Sequence, residues 1–199
     1  MRRGRRNAHR PPSQYWFQGW SLLELLLTLT IAAILSGLAY PNFNAFVART
    51  QTTTRINDLI TLIRFARHAA VTEQRWVGLC PAVGDRCTGS ASWETGIMVF
   101  ADGNRDGERQ PGEALLAYQP ALGAGERLQW RAFRSRNYLQ FRPRGYTNWQ
   151  NGTFLYCPAD GDVRYAKGLI LNIQGRTALT RDADGDGVDE RANGTPIRC

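Results

Sequence analysis

After Gly19 the chain carries no charge before Arg49 except one carboxylate, Glu24. A run this apolar leaves few choices, because residues 20 to 40 are long enough to span a bilayer as a helix. Upstream lie Arg2, Arg3, Arg5, Arg6 and Arg10. A basic flank is held on the cytoplasmic side, so the bulk of the chain should be exported. An ionised carboxylate in a membrane helix costs roughly 2.5–3.5 kcal/mol on insertion scales, which marks Glu24 as a functional position. It needs a cation, and a free α-amine made by a cut after Gly19 would be the nearest. A secretory signal cleaved at Gly37-x-Ala39 is the alternative; an acid inside the apolar region argues against it.

The order glycine, aromatic, hydroxyl residue, two aliphatics and Glu before a long apolar helix resembles the processing site of type IV pilins and type II secretion pseudopilins. The resemblance implies that a membrane aspartyl peptidase cuts between Gly19 and Trp20 and methylates the new N-terminus. It implies too that Glu24 neutralises the amine of a neighbouring subunit during filament assembly. Trp20 stands where the family usually has Phe. Pro41 falls where pilins commonly carry a proline, and a kink or local melting of the helix is expected there.

The formal charge of +8 falls to +3 once the five leader arginines are set aside, which by itself points to no polyanionic partner. Beyond the apolar run, Ile56, Leu59, Ile63, Ala66 and Ala70 recur at steps of three and four, so the helix should continue and pack on a domain, with Arg55, Arg64 and Arg67 off the stripe. After Gln74 the pattern becomes short runs separated by Gly, Pro, Asn and Asp. These predict strands at 76–80, 96–101, 114–118, 127–131, 138–141, 153–157, 169–173 and 177–180. The fold class is therefore α+β, a long helix on a mostly antiparallel sheet or sandwich. Three segments follow: a cleaved leader 1–19, a helix 20–74 whose first half crosses the membrane, and an exported β-rich domain 75–199.

Cys80, Cys87, Cys157 and Cys199 all fall on the exported side, where an even count suggests two disulfides with three possible connectivities. Cys80–Cys87, closing a short loop, and Cys157–Cys199, tethering the tail, are the favoured pairs. Zinc is the alternative, but the spacings are not those of a finger and His68 is the sole histidine beyond the leader.

The landmarks of the exported part resemble the FimT/GspH branch of minor pilins and pseudopilins. They run in order: Leu79-Cys80-Pro81, Cys87, Trp93, Gly96 to Phe100, Asp102 to Glu113, Phe141-Arg142-Pro143-Arg144-Gly145, Phe154 to Cys157 and Gly175-Arg176. Some members bind DNA through a C-terminal Gly-Arg-x-Arg. Here Ala178 replaces the second arginine, Arg181 could stand in for it, and Asp182, Asp184 and Asp186 follow. A second basic stretch, Arg127 to Arg144, interleaves arginines with Trp130, Phe133, Tyr138 and Phe141 and has no acid. This composition suits phosphate contact and stacking, though strand alternation would bury most of the rings. The residues proposed to meet DNA are Arg176, Arg181, Arg142 and Arg144.

Two loops have oxygen ligands at calcium-like spacing. Asp102, Asn104, Asp106 and Glu113 form the first; Asp182, Asp184, Asp186 and Asp189 form the second and favoured one, which makes Ca2+ a candidate ligand. Both compositions also suit ordinary turns. No nucleophile–base setting stands out, so the expected role is structural and not enzymatic. The expected protein is a minor pilin near a filament tip, a single-pass protein of a bacterial inner membrane with a periplasmic domain. Its partners would be other pilins, prepilin peptidase and, in one reading, DNA. A type II secretion pseudopilin is the second reading and a membrane-anchored periplasmic enzyme a remote third.

Overall fold

The computed structural model describes residues 21–133 and 136–199, and nothing is described of the side chains of 38–42. Gly19 and Trp20 therefore lie outside the described residues. The chain divides between Phe43 and Asn44 into two units.

Helix α1, Leu22–Thr72, begins where Ser21 caps it: the Ser21 Oγ accepts the Glu24 N–H at 3.1 Å and the Ser21 carbonyl accepts the Leu25 N–H. Leu22 through Gly37 are exposed, and the hydroxyls of Thr28, Thr30 and Ser36 donate to the carbonyls of Leu25, Leu27 and Ala32. Among the described residues no helix is long and apolar enough to cross a membrane. The helix runs through Pro41 without the melting expected there. One lost donor, with regular helix on both sides, does not end a helix of this length.

In the second unit the predicted stripe is buried along its length, from Ile56 through Leu59, Ile63 and Ala66 to Ala70. α1 stops at Thr72; Gln74 turns into the left-handed region at φ 50° while the Arg75 N–H closes on the Ala70 carbonyl. Two antiparallel sheets follow. In the first, β1 (Val77–Val83) is central, pairing with β3 (Ile97–Ala101), β2 (Arg86–Cys87) and β6 (Leu139–Phe141), while β4 (Leu115–Gln119) adds to β3. The second sheet runs β5 (Arg127–Ala132), β7 (Gly152–Cys157), β8 (Lys167–Leu171) and β9 (Thr177–Leu179). The Ser92–Gln129 bridge joins the Trp93 segment to β5. One continuous core takes residues from α1 and both sheets. At its centre Trp93 meets Phe154 edge-on at 4.9 Å, and Phe154 lies 4.3 Å from Trp130.

All eight expected strands are present. β8 begins two residues earlier than the reading had it, at Lys167, and the two-residue β2 was not foreseen. Cys80–Cys87 and Cys157–Cys199 are both bridged, as favoured. Two of the three arginines placed off the stripe are not merely solvated. Arg55 grips Glu126 with Nε at 3.1 Å and Nη2 at 2.9 Å, and the Arg67 Nε donates to the Gly145 carbonyl.

Candidate functional site

Three groups of side chains can do chemistry or bind: the first turn of α1, an arginine–aromatic groove, and an acidic loop in the tail. In the first turn Glu24 is exposed, one residue beyond the two leucines that follow the Ser21 cap. A carboxylate in the first helical turn is favoured by the helix dipole.

The groove lies where the end of α1 hands the chain to β1. Trp76, Arg142, Arg144, Tyr146, Trp149 and Ile173 line most of a cavity of about 450 Å³. The Arg142 guanidinium sits 5.4 Å from the Trp76 ring and 5.6 Å from the Trp149 ring, so it is held between two indoles, and Arg105 covers Trp76 at 5.1 Å. The Arg142 Nη2 donates to the Asn148 Oδ1, and a polar chain continues inward: the Asn148 Nδ2 donates to the Gln140 Oε1 and the Gln140 Nε2 donates to the Asp102 Oδ2. Burial pushes the Asp102 carboxyl above its ordinary value, against hydrogen bonds from Gln140 and backbone N–H groups. Trp149 is 60% exposed although its backbone is left-handed at φ 61°. For a bulky residue that conformation is strained, and strain of this kind gathers at functional positions.

The predicted DNA residues do not form one set. Gly175 packs on the Gly145 carbonyl, in a space where a Cβ would come within 3.0 Å, so Arg176 belongs beside the Arg142–Gly145 turn. Arg181 is at the other end of β9, bridged to Glu190 and lining a hollow with Asp184. Arg176 and Arg181 thus stand at opposite ends of β9, and Arg142 and Arg144 share the groove at the Arg176 end. Of the rings in the Arg127–Arg144 stretch, Trp130 and Phe141 are buried and Phe133 is exposed; Arg134 lies outside the described residues. The exposed rings of the groove, Tyr146 and Trp149, fall just beyond the stretch that composition had singled out.

In the tail the carboxylates of Asp182, Asp184, Asp186 and Glu190 come within 4.8 Å of one another. These oxygens are the set that could hold a hard cation such as Ca2+. Asp189 turns the other way: it is buried, paired with the Lys167 Nζ at 2.9 Å and accepting the Thr180 hydroxyl at 2.6 Å. Glu190 takes the place that the spacing gave to Asp189. The first loop does not converge, because its acids are spent on its own turns. Asp102 accepts from the Gly107 N–H, and Glu113 accepts from the Gly103 and Gln110 N–H groups.

A family model described as type II transport protein GspH matches residues 55–175, more than half of the chain. No curated protein matches significantly. The fold is similar to that of the type IV minor pilin FimU of Pseudomonas aeruginosa strain PAO1 in two crystal forms. One matches with a TM-score of 0.52 and 18% identity over 68% of this chain and 92% of that one. The other matches at 0.48 and 17%, over 65% and 92%. With the helix stripe and the strands from β1 to β8 inside the matched span, the chain belongs to the GspH family of type II transport proteins.

Proposed function

We propose that this protein is a minor pilin, made with the leader 1–19, cut between Gly19 and Trp20, methylated there, and assembled through α1 into a filament near its tip. Family membership carries the reading, and the first turn of α1 supports it. The only acid between Gly19 and Arg49 sits four residues beyond Trp20, within reach of another subunit's amine. The self-bonded hydroxyls of Thr28, Thr30 and Ser36 support storage in a bilayer, where a helix must satisfy its own polar groups. The segment around residues 20–40 would then anchor the chain in the inner membrane, with the Asn44–Cys199 unit in the periplasm until extraction. The description of the matching family as type II transport proteins favours a second reading, a pseudopilin of a type II secretion machine.

Glu24→Ala tests the proposal. Processing and membrane insertion should persist, since neither uses the carboxylate, while the amount of protein in sheared filaments should fall. Equal incorporation of wild type and variant would remove Glu24 from assembly and leave the proposal without its chemical basis.

A further inference from the structure

We propose that the arginine–aromatic groove is a docking site for the acidic loop of a second copy of this chain. The groove combines Trp76, Tyr146 and Trp149 with Arg142 and Arg144, and no carboxylate lines it. Trp, Tyr and Arg are the side chains that carry most binding energy in protein interfaces. Tyr146 is 49% exposed, and Trp149 is held outward at a backbone angle that Asn or Gly would adopt with less strain.

The occupant is argued from charge. Residues 181–187 are exposed without a break, and Asp182, Asp184 and Asp186 enter no ion pair among the described residues. Their oxygens instead hold the loop in shape: Asp182 accepts the Gly185 and Gly187 N–H groups, and Asp186 accepts the Val188 N–H. This leaves a preformed anionic projection, whose three aspartates are in no ion pair among the described residues, on the same chain as a cationic hollow lined by no carboxylate. The two cannot meet within one molecule. The groove flanks the turn between β8 and β9, whereas the loop leaves the far end of β9 near Lys167, about 20 Å away along the sheet. Between copies the contact is heterologous, and it extends head to tail instead of closing a dimer. The inference concerns the Asn44–Cys199 unit and does not depend on how the N-terminus is processed.

The test uses the full chain in detergent at low salt with EDTA, followed by sedimentation velocity. One variant, Trp149→Asn with Arg144→Ala, empties the groove; Asn suits the left-handed backbone, so the fold should hold. The other, Asp182→Asn with Asp184→Asn and Asp186→Asn, removes the charge and keeps the oxygens that shape the loop. Each alone should self-associate about tenfold more weakly than wild type, and wild-type association should fall with added salt. Mixed, they should form a 1:1 pair and nothing longer, because one intact groove meets one intact loop. A mixture no more associated than its components overturns the proposal, as does a groove variant that associates like wild type. Wild type that stays unassociated at low salt overturns it outright, and oligonucleotide binding that is lost in the Trp149 variant would then make the groove a nucleic-acid site.

Discussion

Glu126 is the charge on which the helix-to-sheet contact turns, and removing it should cost the exported unit much of its stability. It is 5% exposed, and its carboxylate accepts two bonds from Arg55, one from the Tyr156 hydroxyl at 2.6 Å, and one from the Gly123 N–H. Glu126→Ala strands three donors. The Arg55 side chain is 30% exposed and can turn to water, so its share is discounted. The Tyr156 hydroxyl is buried and has no such escape, at about 1–3 kcal/mol, whereas Gly123 is exposed and its N–H can bond water. A loss of about 2 kcal/mol results, below the range for opening a fully buried pair because two of the three donors can reach water. For a unit of this size that lowers Tm by about 4–8 °C. Glu126→Gln, keeping one acceptor oxygen but facing Arg55 with an amide N–H, should lose about half as much. The pH dependence has a fixed sign. Burial pushes the Glu126 carboxyl up, but the bonds from Arg55, Tyr156 and Gly123 together hold it below its ordinary value. The unfolded chain thus takes up the proton first, near pH 4.3. The contribution is complete above that pH and is lost as the pH falls through the folded value. Calorimetry of residues 44–199 reads both effects. A Tm for Glu126→Ala within 2 °C of wild type, or a wild-type advantage over Glu126→Gln that does not narrow in acid, would refute the reasoning.

Three further outcomes are expected. Intact-mass measurement of membrane-extracted protein should show loss of residues 1–19 and one added methyl; a start after Ala39 would sink the pilin reading. Removing the Cys157–Cys199 bridge, which spans 42 residues, should cost about 4 kcal/mol, against about 2 kcal/mol for Cys80–Cys87, which spans 7, and paired melting curves give the order. Gly78→Ala should destabilise by about 1–3 kcal/mol, because its Cβ would enter the fully buried Phe100 ring; an unchanged denaturation midpoint would show that the ring can move aside.

What could be read from the sequence was whatever repeats or stands alone. The stripe from Ile56 to Ala70 was legible because helical spacing repeats over several turns, and Glu24 because nothing else near it is charged. β2 was not, since two residues around a Gly84 turn carry no periodicity. Spacing gave a ligand role to Asp189, and only the fold shows Lys167 and Thr180 claiming it from another strand. Glu126 carries no signal of its own in the sequence, because its partner Arg55 is distant along the chain. The groove was half legible: Arg142 and Arg144 stood out in the basic stretch, but Trp76 and Ile173 come from separate elements, and the rings composition pointed to, Trp130 and Phe141, are interior.

The tail has a consequence for what this protein can tolerate. Asp189 anchors one side of the acidic loop to Lys167 and Thr180, and Cys199 fixes the chain end covalently to β7. A cut between Asp182 and Gly187 would therefore break the chain without releasing a fragment, and would be visible only after reduction. Inserted residues at the same place would face solvent and lengthen a loop clamped at both ends, where each doubling of length costs only about 0.6 kcal/mol. The fold thus tolerates changes of sequence and length in this loop, so any constraint on its acids comes from what the loop meets and not from the stability of the unit that carries it.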